Sequence, residues 1–158
     1  MQNDFRLINS FIFYVAVLFF LGIGAATLPQ LPWYYALTRP VWTPSHVVVS
    51  TIWLLIFLST AASLSKYWDT VTHDRTFRWT VRMYAGMALL VLLWNYLFFG
   101  AHMVALSVWA AALVTLAILA ILLRVRTASA KAALYMVPFL VWGIFATYIV
   151  HVIALLNP

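Results

Sequence analysis

Five uninterrupted apolar runs govern what this chain can fold into. Leu7 to Leu28, Val47 to Ser65, Met83 to Phe99, Val104 to Leu123 and Leu134 to Leu156 contain no Asp, Glu, Lys or Arg. Each is close to the ~20 residues that cross a hydrocarbon core of about 30 Å as a helix. In lipid, every backbone N–H and C=O must find its partner inside the protein, so such a run is helical unless it belongs to a closed barrel. The polar alternation of barrel strands is missing. The expected fold is therefore all-α, a five-helix transmembrane bundle forming a single domain over residues 1–158. The first run exceeds the roughly 7–15 residues of a signal-peptide core and no small-residue cleavage site follows it, so it is expected to remain in the fold. With 66% hydrophobic and 8% charged residues and a mean hydropathy of +1.02, the chain is far from a soluble domain, of which about a quarter is charged.

Nine Lys+Arg against three Asp+Glu give a net charge of +6 and a pI near 10.0. The positions of the charges matter more than their sum. Arg6, then Lys66, Arg75, Arg78 and Arg82, then Arg124, Arg126 and Lys131 all fall on one side of the membrane, and Arg39 stands alone on the other. Basic residues between apolar runs point to anionic lipid headgroups as partners, with no nucleic acid. This bias places the N-terminus in the cytoplasm and the C-terminus outside if the host is a bacterial inner membrane. We term the two sides the basic and the neutral face.

There is no Cys, which removes disulfides, thiolate catalysis, iron–sulfur clusters and Cys-based zinc sites. No span carries an acid or base of the kind ion-coupled transporters and pumps use near the midplane. Of the four histidines, His46 and His102 lie at span ends, His73 in a loop, and only His151 within an apolar run. Interfacial or internally bonded roles are expected for them, ahead of the matched axial pairs of a haem bundle. No metal site is expected.

One connection differs from the short ones elsewhere. Residues 29–45 on the neutral face carry Pro29, Pro32, Pro40 and Pro44 among aromatics. Four prolines deter a continuous helix, and the aromatics are costly to leave in water, so this segment is expected to fold back as a lid.

Eight tryptophans are a large excess for 158 residues. Trp68 and Trp79 flank the basic-face loop as an interfacial belt would. At 1.5 Å per residue, Trp53, Trp94 and Trp109 lie about 8–10 Å inside the neutral-face ends of their spans, and Trp142 about 12 Å from the basic face. Trp33 and Trp42 belong to the loop above. These rings are too deep for a belt, and each indole N–H needs an acceptor. Composition alone leaves a Trp-lined ligand cavity and a tightly packed core level with each other.

Three separated motifs break that tie. The run Trp33-Tyr34-Tyr35-Ala36-Leu37-Thr38-Arg39-Pro40-Val41-Trp42-Thr43-Pro44 is followed by Trp53. Trp94 then precedes Leu97-Phe98-Phe99-Gly100, and Pro138-Phe139-Leu140-Val141-Trp142 precedes Phe145-Ala146-Thr147. In order and spacing, over nearly the whole chain, this resembles the TspO/MBR family of tryptophan-rich sensory proteins, which includes the mitochondrial translocator protein. The resemblance implies a five-helix bundle, often a homodimer, that binds porphyrins (protoporphyrin IX or haem) and, in animals, cholesterol and synthetic ligands. It implies a ligand and no obligatory cofactor. It further implies a bacterial-type receptor linked to stress response or ligand transport, with the pocket beneath the first loop. Tyr34, Pro40 and Trp42 would belong to the lid, and Trp53, Phe57, Trp94, Phe98, Trp142 and Ala146 to the pocket. Asn95, beside Trp94, joins them as the one amide.

The chain departs from the family pattern at several positions. Val91 stands where an Asn is usual, and Asn95 occupies a different position on the helix. Ser45 replaces the second Pro, Phe139 the Tyr of the span-five pair, and Val150 a polar residue, while Val108 and Trp109 offer no acid in span four. A more apolar pocket with few polar anchors is expected. The animal sterol motif is absent after Tyr148, where no basic residue follows. Some family members are reported to promote light- and oxygen-dependent porphyrin breakdown. Here no Cys, pocket carboxylate or metal cluster supports enzyme chemistry and His151 is the one acid/base candidate, so such a reaction would belong to the porphyrin, with indoles as electron donors. The small residues Gly22 and Ala26, and Ala85, Gly86 and Ala88, are candidate helix contacts for a homodimer.

Overall fold

The computed structural model describes residues 2–158, with side chains from Leu7 onward; Met1 and the side chain of Arg6 lie outside the described residues. The elements are α1 (Gln2–Thr27), a 3-10 turn (Leu28–Gln30), α2 (Leu31–Ala36), α3 (His46–Thr70), α4 (Arg75–Asn95) ending in a π turn (Tyr96–Gly100), α5 (Val104–Arg126) and α6 (Ala130–Leu156). Among the described residues there is no strand, and five helices are long and apolar enough to cross a membrane. The protein is a multi-pass integral membrane bundle.

The local sequence explains where the helices begin. Ser45, Asp74 and Ser129 each accept a hydrogen bond from a backbone N–H of the following first turn, at 3.4, 2.8 and 3.3 Å. Arg124 and Arg126 end α5, where cations oppose the helix dipole. On the basic face α3 and α4 run beyond the apolar stretches, to Thr70 and from Arg75. Nothing breaks a helix at the hydrocarbon edge, and long cationic side chains snorkel toward water. There Arg82 lies 5.4 Å from the Trp79 ring.

The expectation of a long irregular loop is corrected. Pro29 and Pro32 sit in the first turns of the 3-10 segment and of α2. A proline there lacks only an N–H that has no helical partner anyway, so the first half of the lid is helical. The chain leaves the helix at Leu37, turns at Pro40–Thr43, where the Thr43 N–H donates to the Pro40 carbonyl (3.0 Å), and reaches the cap at Ser45.

Around the bundle the helices follow the order α1, α3, α6, α5, α4. The α5/α6 contact is the most extensive, and α1 rests mainly on α3 and barely meets α4. Ile118, Ile121 and Val125 of α5 and Ala132 and Met136 of α6 are fully buried. The basic-face half is tied by internal hydrogen bonds. Ser63 donates to the Ala132 carbonyl (2.7 Å) and receives the Tyr84 hydroxyl (2.7 Å), while Tyr67 donates to Thr80 (3.1 Å). Such bonds hold helices that have no hydrophobic drive to associate in lipid, at roughly 0.6 kcal/mol each. Trp68 packs against Phe77 (4.7 Å, perpendicular) and His73 (5.3 Å), so it belongs to this core and not to a belt as its position suggested. Trp79 is exposed, as a belt residue would be. By contrast, no described α1 residue is fully buried.

Candidate ligand-binding cavity

A cavity of about 160 Å³ lies in the neutral-face half, between the lid and the middle of the bundle. Phe20, Ile23, Gly24 and Thr27 of α1 form one wall, and Val49, Ser50, Trp53 and Phe57 of α3 the next. Opposite stand Val91, Trp94, Asn95 and Phe98, with Trp142, Ala146, Ile149 and Val150 of α6. Tyr34 and Thr43 reach it from the lid, and His46 from the start of α3. A second space of about 20 Å³ adjoins it, walled by Trp53, Trp94 and Trp142 and closed by Ala111 and Thr115 of α5.

Aromatic rings set the shape. Trp53 and Trp94 are stacked at 5.9 Å and 29°, Trp142 meets Trp53 edge-on at 6.4 Å, and Phe98 continues the stack beyond Trp94 at 6.0 Å and 15°. Phe57 packs on Trp53 at 5.3 Å. The π turn gives this wall its form, since the extra residue per turn re-aims Phe98 and Phe99. Phe98 and Phe99 then receive Trp33 and Tyr34 of the lid at 5.6–6.5 Å. Two residues beyond the turn stands His102, whose φ of 56° lies in the left-handed region. Its ring stacks on Trp33 at 4.0 Å and contacts Gln30 Oε1 at 3.2 Å.

Polar groups are few. Among the described residues no carboxylate, Lys or Arg lines the cavity. Asn95 Nδ2 donates to Thr27 Oγ1 (2.9 Å), and Thr27 donates to the Ile23 carbonyl (2.8 Å). This pair is the polar tie across the α1/α4 seam. The indole Nε1 atoms of Trp94 and Trp142 are buried without an acceptor. A buried N–H left unpaired costs about 1–3 kcal/mol, so an acceptor supplied by a bound molecule gains what the protein forgoes. On the mouth side, Thr38 N–H donates to Asn157 Oδ1 (3.0 Å) and Asn157 Nδ2 donates to the Thr38 carbonyl (2.9 Å), so the end of α6 clamps the lid.

Of the candidate residues, Tyr34, Trp53, Phe57, Trp94, Asn95, Phe98, Trp142 and Ala146 all line this one cavity. Pro40 and Trp42 do not reach it: Trp42 stacks on Tyr148 (5.8 Å, 10°) at the lid's outer edge. Trp109 is corrected outright, because it is 72% exposed and faces outward. Asn95 occupies a different position from 91, yet both line the cavity, since residues four apart share a helix face. His151 is exposed, and His46 is engaged with Tyr35 (2.7 Å). The α1 wall went unread because span one carries no motif.

Comparison with known proteins agrees with this architecture. The TspO/MBR family model matches residues 11–156. The protein named "Tryptophan-rich protein TspO" from Chlorobaculum tepidum is 29% identical over 140 residues, spanning 87% of this chain and 89% of that protein.

Proposed function

The chain belongs to the TspO/MBR family, and from that premise we propose that it is a membrane receptor that binds a porphyrin, or a comparably flat apolar molecule such as a sterol, in the Trp-walled cavity. The observation that carries this reading is the convergence of Trp53, Trp94 and Trp142 on one space, two of them with unpaired N–H groups. Indole faces stack on planar ligands, and the orphan donors suit a carbonyl or carboxylate oxygen. At about 160 Å³ the cavity is smaller than the roughly 300–1,000 Å³ of drug-sized sites, so a bound tetrapyrrole would require the lid to shift from Asn157. Protoporphyrin IX is expected to quench tryptophan emission and to bind at micromolar concentrations or better. A linear, unsaturable response equal to that of detergent micelles alone would remove the reading.

A second reading rests on the stacked indoles, which can donate an electron to a photo-excited ligand. The same titration under light separates the two: Soret decay faster than that of free porphyrin in the same detergent marks degradation, and equal decay leaves binding alone. For orientation we propose a bacterial membrane with the basic face inward, from the charge bias. Labelling of single cysteines placed at Ser45 and Thr72 checks this, and equal access to both from one side would refute it.

A further inference from the structure

Asn95 is the one amide in the cavity wall, and it is only 8% exposed, among Val91, Trp94 and Phe98. Hydrogen-bond counting decides which way the amide points. The Thr27 hydroxyl has a single proton and gives it to the Ile23 carbonyl of its own helix (2.8 Å). Thr27 Oγ1 can then only accept from α4, so the group that faces it at 2.9 Å is the amide NH2. The amide oxygen is left over. Among the described residues none donates to Asn95 Oδ1, and the open space that Asn95 borders is the cavity. The usual Asn of the family, one turn earlier, is Val91 here, so this chain carries its amide about 6 Å nearer the lid.

An acceptor in apolar surroundings costs free energy until a donor reaches it. We infer that Asn95 Oδ1 is the acceptor for a hydroxyl on the ligand, so that the cavity prefers a flat apolar molecule with an O–H at its edge over the same molecule with that proton replaced. A hydroxyl suits this wall better than a bare N–H. It gives its proton to the amide, and its oxygen remains able to accept from an indole N–H that has no partner in the protein. Thr27 is a positioning residue, which holds the amide by its nitrogen and so keeps the oxygen toward the cavity. With the amide reversed, Asn95 and both indoles would offer the ligand donors alone. The assignment rests on the proposed cavity and adds a feature of the ligand that it takes.

1-Hydroxypyrene and 1-methoxypyrene share one flat ring system and differ by a methyl in place of the proton. Each is titrated against the full chain in detergent, in mildly acidic buffer where the phenol stays un-ionised, and the saturable energy transfer from tryptophan to pyrene is the signal. The quantity read is the ratio of the two affinities, compared between the parent and each variant so that partition into micelles cancels. Asn95→Leu should lower the preference for the hydroxy compound about fivefold, the scale of one neutral hydrogen bond. Thr27→Val keeps the amide and removes its anchor, so it should lower the preference in the same direction, and it serves alone if Asn95→Leu does not fold. A ratio left unchanged by both variants, with both pyrenes bound saturably, would overturn the acceptor and leave the cavity standing. A ratio raised by Asn95→Leu would mean that the amide presents its N–H to the ligand, which overturns the assignment as well. A fall with Asn95→Leu and none with Thr27→Val would keep the acceptor and refute the role of Thr27. If neither pyrene binds saturably to the parent, the cavity reading itself fails.

Discussion

Gly143→Leu is expected to lose the native bundle, with a destabilisation at the upper end of the roughly 1–3 kcal/mol typical of overpacking or beyond it. A Cβ built at Gly143 would lie 3.0 Å from Thr115 Oγ1 and 3.3 Å from Ile118 Cδ1. Neither neighbour is free to yield. Thr115 donates to the Ala111 carbonyl (3.0 Å), Thr147 donates to the Gly143 carbonyl (2.7 Å), the two hydroxyl oxygens pack against each other at 3.1 Å, and Ile118 is fully buried. The α5/α6 contact, the most extensive in the bundle, closes on this point. For Gly143→Ala the contest is closer, since a helix gains up to ~1 kcal/mol from replacing Gly with Ala while the one carbon must displace a bonded hydroxyl. Gly86→Ala supplies the contrast, because nothing lies within 4 Å of its Cβ position. Thermal unfolding in detergent should rank Gly86→Ala at or above the parent, Gly143→Ala near it and Gly143→Leu far below. A Gly143→Leu chain with the parent's midpoint would refute the packing described for α5 and α6.

The same helices show why some of the molecule could be read from its sequence and some could not. The spans were legible because the membrane imposes a length and forbids charge, and the lid because its prolines restrict the backbone. Rotation about each helix axis was not. On α5 the buried positions are Val104, Ser107, Ala110, Ala111, Val114, Ile118, Ile121 and Val125, a stripe of spacing three and four. In water such a stripe would contrast with polar residues on the other side. In lipid both sides are apolar, so Trp109 could be given a depth but no direction, and it faces outward. For the same reason α1, with Leu7, Phe11, Leu18 and Leu21 exposed, gave no hint that Phe20, Ile23 and Thr27 wall the cavity. Asn95, expected among the pocket residues but on a different part of the helix from position 91, is only about 40° round from it after one full turn, so both share the cavity face. Depth singled out Trp53, Trp94, Trp142 and Trp109 alike, and the motifs carried the first three without Trp109.

That distinction predicts which tryptophans matter for binding. Trp53→Ala should weaken protoporphyrin binding by roughly 1–3 kcal/mol, the range for loss of a central aromatic contact, and Trp109→Ala should leave it unchanged. Trp53 touches Trp94, Phe57, Phe139 and Trp142 at 5.3–6.4 Å and walls both spaces, while Trp109, similarly deep along its span, is 72% exposed. Trp142 is a harder case. It is buried and joins Trp53 to Phe145, so truncation to Ala would also cost several kcal/mol of folding stability and confuse the result. Trp142→Phe keeps most of the ring while deleting the N–H that has no acceptor in the protein. If that donor serves the ligand, the Phe variant should fold at least as stably as the parent and bind porphyrin several-fold more weakly, as expected when one buried hydrogen bond is lost. Quenching titrations on the three variants, paired with their unfolding midpoints, read both quantities. Equal losses from Trp53→Ala and Trp109→Ala would place the ligand on the outer surface of the bundle, and unchanged binding by Trp142→Phe would assign its indole to packing alone.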